Sequence, residues 1–168
     1  LDGTLMFKRW IPTYGPMIAY VENGFLHYSA IFIPEENGLY YADKNGTYCN
    51  EERIHVSGTS DIKKWILNIS FSNIIKYHSD KIDSLYRTGR IIDTVPTANK
   101  FVLCAAGLCD GWIKHSHGVW DTIPGWFLVQ QAGWKVTNFW SDSWDIFNPN
   151  VIFSNGLIHA EFQKLLEQ

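Results

Sequence analysis

The sequence predicts a layered α/β fold of the α+β sandwich type, with an antiparallel sheet in the first half and a mixed sheet with flanking helices in the second. Three observations carry that prediction. Residues 17–50 hold β-rich segments punctuated by Asn-Gly dipeptides. From Arg90 onward, short strand-like runs alternate with helical ones. Of the 168 residues, 46% are apolar, which is enough for one real core and too many for a disordered chain.

The elements follow in order. MIAYVE (17–22), FLHYSAIFI (25–33), GLYYAD (38–43) and TYCN (47–50) are rich in Tyr, Ile, Phe and Val, residues that suit a pleated, half-buried surface. Asn23-Gly24, Asn37-Gly38 and Asn45-Gly46 separate them, and such dipeptides favour tight hairpin turns. The expected arrangement is an antiparallel meander. KWILNISF (64–71) reads as a further strand and residues 73–87 as weakly helical. RIIDTV (90–95) is a short strand. TANKFVLCAAGL (97–108) is a helix that Thr97 or Thr94 can cap. GWIKH (111–115) is a strand, and DTIPGWFLVQQAG (121–133) a helix ending at Gly133. KVTNF (135–139) and VIFSN (151–155) are strands, after which Asn155 or Gly156 opens a last helix, LIHAEFQKLLEQ (157–168). One domain over residues 1–168 accommodates all of this.

Composition narrows the function classes. The net charge of −3 argues against a nucleic-acid partner, which needs a basic surface. No apolar run approaches the roughly 18 residues of a membrane span. Cys49, Cys104 and Cys109 are an odd count without regular spacing, hence neither a disulfide framework nor a zinc site. Cys104 falls inside an apolar helical pattern and reads as a buried thiol, which fits a reducing, cytoplasmic setting. The many aromatic rings, 8 Trp, 8 Tyr and 10 Phe, serve core packing. His115 and His117 share a strand face, but no third ligand is spaced to join them. There is no Ser-His-Asp arrangement, nucleophile elbow or Walker-type loop.

Two segments carry chemistry. Asp121 heads the helix in VWDTIPG, where a carboxylate is a favoured N-cap and Pro124 loses nothing by lacking an N–H. Its other reading is a ligand for a hard cation. Asp2 in LDGT has the same ambiguity: a turn residue, or a Mg²⁺ ligand beside the Leu1 carbonyl. In the second reading Gly3 lets the backbone approach an anion, and the Gly3 and Thr4 amides bind phosphate oxygens. The Thr4 hydroxyl would then orient an attacking water.

In order, LDGT, WDTIPG and AGWKVTN resemble the inositol monophosphatase family, whose motifs are Asp-Pro-(Ile/Leu)-Asp-Gly-(Thr/Ser), Trp-Asp-x-x-(Ala/Pro)-Gly and Ala-Gly-Gly-x-Val-Thr-Asp. MIAYVENG, NEERIHVS and CAAGLCDGW match in character, so the resemblance covers essentially the whole chain. It implies a member lacking the N-terminal third, and with it a Glu ligand and the first Asp of the acidic motif. It also implies Mg²⁺-dependent hydrolysis of a small phosphorylated metabolite of the inositol, sugar or histidinol phosphate type, by metal-activated water. Carried over by position, Leu1 (through its carbonyl), Asp2 and Asp121 are metal ligands, and Thr4 and Asp2 are catalytic. Gly3, Thr4, Thr97 and Lys114 meet the substrate. A homodimer is expected, and the chain alone is expected to bind Mg²⁺ poorly and to be inactive.

Three positions depart from the family pattern. Val95-Pro96-Thr97 replaces Gly-Ser-Ala in a pocket-lining segment, and Trp134 replaces the second Gly of Ala-Gly-Gly. Lys114 stands where the inositol enzymes often place a substrate-binding Glu. It is read either as a receiver for a second anion or as a solvated strand-end lysine. The altered pocket also motivates an alternative: a catalytically degenerate protein of this fold that binds a small anion or a partner.

Overall fold

The computed structural model describes residues 1–70, 85–87, 89–93, 96–115 and 118–167. Expectations placed on a helix over 73–87 and on Thr94, Val95, His78 and His117 lie outside the described residues, wholly or in the main.

The expected meander is present. Strands β1 (Met17–Glu22), β2 (Phe25–Ile33), β3 (Gly38–Asp43), β4 (Gly46–Cys49) and β5 (Glu52–Ile54) pair as sequential antiparallel neighbours. Asn23 and Gly24 form a two-residue turn with φ of 52° and 81°, the conformation that selects Asn-Gly. The β4–β5 turn, Asn50-Glu51, takes the same sign with φ of 47° and 75°. It lacks a glycine, and β5 is short and charged, so both escaped the sequence pattern.

The second half forms a mixed sheet in the order β7-β6-β8-β10-β9. Here β6 is Ile66–Ile69, β7 Arg90–Ile92, β8 Gly111–His115, β9 Lys135–Asn138 and β10 Asn150–Ser154. β6 runs parallel to β7 and β8, while β10 runs antiparallel to β8 and β9. The helices are α1 (Thr4–Lys8), α2 (Thr97–Ala105), α3 (Ile123–Gln131) and α4 (His159–Glu167). Helix α3 packs on the meander, and α2 touches α3, β2 and β8, so these helices lie between the two sheets. Helix α4 contacts β10, and its Phe162 and Leu166, with Ile158 just before it, pack with Ile113 and Ile152 on the second sheet's other face. Strand alternation sends Trp112, Val151 and Phe153 to the α2 side and Ile113 and Ile152 to the α4 side. Burial on both faces explains why these strands read as continuous apolar runs.

Polar groups tie the layers together. The buried Thr47 hydroxyl donates to the Leu128 carbonyl at 2.7 Å, pinning the meander to α3. Trp134, the family departure, is buried and donates its indole N–H to the Cys104 carbonyl at 2.8 Å, joining β9 to the end of α2. The Asn155 carboxamide oxygen accepts from the Leu157 and Ile158 amides at 3.1 and 3.3 Å, in a turn that precedes α4, which begins at His159 rather than at the expected Leu157. Cys104 is buried as expected, with its sulfur 3.3 Å from that of Cys109. The outward face of the meander leaves Ile18, Tyr20, Tyr28 and Leu39 exposed. Among the described residues no helix is long and apolar enough to cross a membrane.

His159 predicts a pH dependence. It is 1% exposed, its ring nitrogens lie 2.7 Å from the Ser154 hydroxyl and 3.0 Å from the Thr137 hydroxyl, and burial holds its pKa down to about 4. An unfolded His takes up its proton near pH 6.5, so between about pH 6.5 and 4 the unfolded chain binds a proton that the folded one refuses. Stability from this group is complete above about pH 6.5 and falls by roughly 3 kcal/mol as pH drops toward 4. Urea midpoints should therefore fall between about pH 7 and pH 5 in the native chain, and a His159→Gln variant should lose that slope. Equal slopes in both would refute the assignment.

Candidate functional site

Asp2 is set in place by backbone before any ligand is considered. Its amide donates to the Gly15 carbonyl at 2.9 Å, and the Gly15 amide donates back at 3.2 Å. Gly3 follows with φ of 78°, a left-handed conformation that turns the chain into α1. A Cβ at Gly3 would lie 2.6 Å from Pro96 Cγ and 2.9 Å from the Thr13 carbonyl oxygen, so a side chain is excluded twice over. That close approach brings LDGT against the start of α2. There Asp2 Oδ2 accepts the Ala98 amide at 2.6 Å. Asp2, not Thr97, thus satisfies the first turn of α2. Thr97 is the first residue of the helix, and the N-cap position is Pro96, which makes no side-chain cap bond.

Asp121 also departs from the simple cap. It ends a 3-10 turn, Val119–Asp121, that runs directly into α3, and the N-cap position falls on Thr122. Capping needs an extended residue that aims its side chain back at the first amides. Thr122 already has helix-like dihedrals (φ −112°, ψ −48°), and its hydroxyl donates to the Gly118 carbonyl instead. Pro124 occupies the first turn of α3, as expected. Among the described residues, nothing donates a hydrogen bond to the Asp121 carboxylate.

Leu1, Asp2, Gly3, Thr4 and Asp121, expected to act together, line one polar cleft of about 440 Å³ with Met17 and Trp120. Burial raises the pKa of Asp121, and the Asp2 charge raises it further, while Lys114 opposes both. The Asp2 charge thus disfavours the ionised form of Asp121, whose carboxylate has no hydrogen-bond donor among the described residues. The Leu1 carbonyl is a third oxygen, to which the Thr4 hydroxyl donates at 3.3 Å. An all-oxygen set of this kind fits a hard divalent cation. Among the described residues no group of three His, Cys, Asp or Glu side chains is placed to hold a metal, so the set present is partial.

Thr97 and Lys114 do not line that cleft. Thr97 adjoins it through the neighbouring Ala98 amide that Asp2 accepts. Lys114 is 3% exposed, which overturns its reading as a solvated strand-end residue. Burial pushes its pKa down to about 8, and the charges of Asp121 and Asp2 oppose that shift, so it is still mostly protonated at neutral pH. His115 is buried, and its Nδ1 lies 2.6 Å from the Asn150 carboxamide oxygen of the paired strand.

One further residue was missed at the sequence level. Lys100 is 3% exposed, and its Nζ donates to Asp93 at 2.6 Å, the Ile69 carbonyl at 3.1 Å and the Ser70 hydroxyl at 3.4 Å. Burial lowers its pKa against the opposing charge of Asp93. A signal existed, since Lys100 sits four residues before Cys104 on the apolar side of α2.

The sequence matches the inositol monophosphatase family over residues 1–168. It is 30% identical over 170 residues to the fructose-1,6-bisphosphatase/inositol-1-monophosphatase of Thermotoga maritima, covering 100% of this chain and 66% of that protein. It is 28% identical over 172 residues to the putative Nus factor SuhB of Neisseria meningitidis, again covering 66% of the relative. Among solved structures, the Thermotoga maritima IMPase matches with a TM-score of 0.87 at 30% identity, over 99% of this chain and 65% of that one. The chain thus spans just under two thirds of the length of these relatives.

Proposed function

This chain belongs to the inositol monophosphatase family, and we propose that its polar cleft serves Mg²⁺-dependent hydrolysis of a small phosphate monoester of the inositol, sugar or histidinol phosphate type. The observation that carries this reading is the meeting of Asp2 and Asp121, far apart in the sequence, in one cleft with the Gly3–Thr4 turn. Asp2, Asp121 and the Leu1 carbonyl would hold the cation. When bound, it would lower the pKa of a water and offset charge on the phosphoryl group.

The chain's own residues do the rest by position. Gly3, whose left-handed turn no other residue fits, brings the backbone to the cleft, where its amide and that of Thr4 receive phosphate oxygens. The Thr4 hydroxyl, lightly held by the Leu1 carbonyl at 3.3 Å, is free to turn toward an attacking water and orient it. Asp2 has one oxygen engaged by the Ala98 amide, which aims the other. Thr97 and Lys114 stand on the substrate side. A cytoplasmic setting and a homodimer complete the reading, the first supported by three cysteines in thiol form.

A phosphate-release screen of the full-length protein tests this, using phosphorylated polyols, sugars and amino alcohols with Mg²⁺ or with EDTA. Release from at least one of them in Mg²⁺ alone is expected. Release that persists undiminished in EDTA would refute the role of the cation, and no release from any would refute the reading.

A further inference from the structure

Lys100 spends all its donors on holding one end of the second sheet. β6 and β7 run parallel with Asn68 opposite Ile92, so Ile69, Ser70 and Asp93 stand together at the carboxyl ends of the two strands. From the first turn of α2 the buried Lys100 Nζ reaches all of them, at 3.1 Å to the Ile69 carbonyl, 3.4 Å to the Ser70 hydroxyl and 2.6 Å to Asp93. An ammonium has three N–H donors, so none is left over. An apolar side chain would fill the same space without a buried charge, and replacing a buried pair in that way is often neutral or stabilising. What the pair adds is geometry.

The start of α2 needs such a clamp. Pro96 at the N-cap makes no side-chain cap bond, and the bond from the Lys100 amide to the Pro96 carbonyl is long at 3.4 Å. Lys100 fastens this helix start to Asp93, the residue that follows β7. Between them lie both contacts to LDGT. Pro96 Cγ is 2.6 Å from where a Gly3 Cβ would stand, and the Ala98 amide donates to Asp2 Oδ2 at 2.6 Å. Asp2 is thus oriented by an amide whose own place depends on Lys100.

We propose that Lys100 is a positioning residue: through Asp93 it fixes the Ala98 amide, which holds one oxygen of Asp2 and so presents the other to a divalent cation. This rests on the phosphatase reading above. The effect is selective. The backbone of Asp2 is held separately, by the paired amides and carbonyls of Asp2 and Gly15. Loosening α2 therefore frees the Asp2 carboxylate while the Gly3 and Thr4 amides keep their place for phosphate.

The test compares the native full-length protein with Lys100→Met and with the double variant Lys100→Met, Asp93→Asn, which leaves no carboxylate behind. Amide hydrogen exchange, followed by NMR without metal, reads the first step. The Ala98 amide should exchange about tenfold faster or more, while the amides of the last turn of α2 stay within about twofold. Calorimetric titration with Mg²⁺ reads the second, and affinity should fall by about tenfold or more. At saturating Mg²⁺ the KM for a phosphate ester should stay within about threefold. The double variant should melt within about 3 °C of the native protein or above it. If Lys100→Met does not fold, the double variant carries the same readings. Unchanged Ala98 exchange or unchanged Mg²⁺ affinity would overturn the proposal. Faster exchange throughout α2 with a marked fall in melting temperature, or failure of both variants to fold, would overturn it too, by making Lys100 a structural residue. Turnover separates the inference from the reading beneath it. Phosphate release by the native protein, with Mg²⁺ affinity and Ala98 exchange unchanged in both variants, sinks the Lys100 inference alone. Lys100-dependent Ala98 exchange and Mg²⁺ binding without phosphate release from any ester sinks the phosphatase reading alone.

Discussion

Asp121→Asn in the full-length protein is expected to cut Mg²⁺-dependent phosphate release by about 100-fold or more while leaving the fold intact. The size follows from the proposed role: disturbing even the groups that support a metal ligand commonly costs about 10–100-fold, and on that proposal this change would remove a ligand charge itself. The intact fold follows from what the carboxylate does not do. Among the described residues it accepts no hydrogen bond, and both burial and the Asp2 charge disfavour its ionised form. A carboxyl pKa raised by folding means that its charge weakens the native state at neutral pH. The neutral amide should therefore melt at the same temperature as the native protein or slightly above it. Retained release would sink the assignment of Asp121, and a marked drop in melting temperature would show that it is a structural residue instead.

Gly125→Ala should be among the most destabilising single changes available. A Cβ there would lie 1.9–2.2 Å from three ring atoms of Phe101. Phe101 cannot retreat, because it is fully buried and packs edge-on against Trp112 and Phe153, with centroids 4.7 and 5.6 Å away. Overpacking usually costs about 1–3 kcal/mol, and a clash this deep against a hemmed ring belongs at about 4 kcal/mol or above. The melting temperature should fall by about 10 °C. Gly58→Ala is the control, since an added Cβ there meets nothing within 4 Å and should leave stability within about 0.5 kcal/mol. A similar small effect at Gly125 would refute the packing argument. The consequence reaches the site. Gly125 lets α3 approach α2; α3 follows the 3-10 turn that carries Asp121, and the first turn of α2 holds the Ala98 amide that Asp2 accepts. The glycine of WDTIPG thus sets the spacing of the two carboxylates without touching the cleft.

Much of the fold was legible along the chain because its causes are local. The Asn23-Gly24 turn needs two positive φ values, and the residues that tolerate them are visible in the sequence. Asn155 closes the turn that leads into α4, and Gly133, with φ of 104°, stops α3 immediately after its last turn. Where the cause was local but carried by unusual residues, as at Asn50-Glu51, the pattern gave no sign. The cleft was legible in part, because LDGT and WDTIPG are short motifs whose chemistry is written in their residue types.

What the sequence by itself determined is therefore the meander, the strand–helix alternation and the family motifs, together with the residue types that make an all-oxygen, phosphate-sized site. Only the tertiary structure decided how those residues are used. The local rules offered Thr97 or Thr94 as the cap of α2, yet Asp2 accepts the Ala98 amide of its first turn, from the far end of the chain, at 2.6 Å. The same rules favoured Asp121 as the cap of α3, yet a 3-10 turn carries it past that role and leaves its carboxylate free among the described residues. The strand-end Lys114 read as either a receiver for an anion or a solvated residue, and the packing of α2 over β8 buries it. Capping, burial and counter-charge are settled by whichever group is nearest in space, and in a layered fold that neighbour comes from a distant part of the chain.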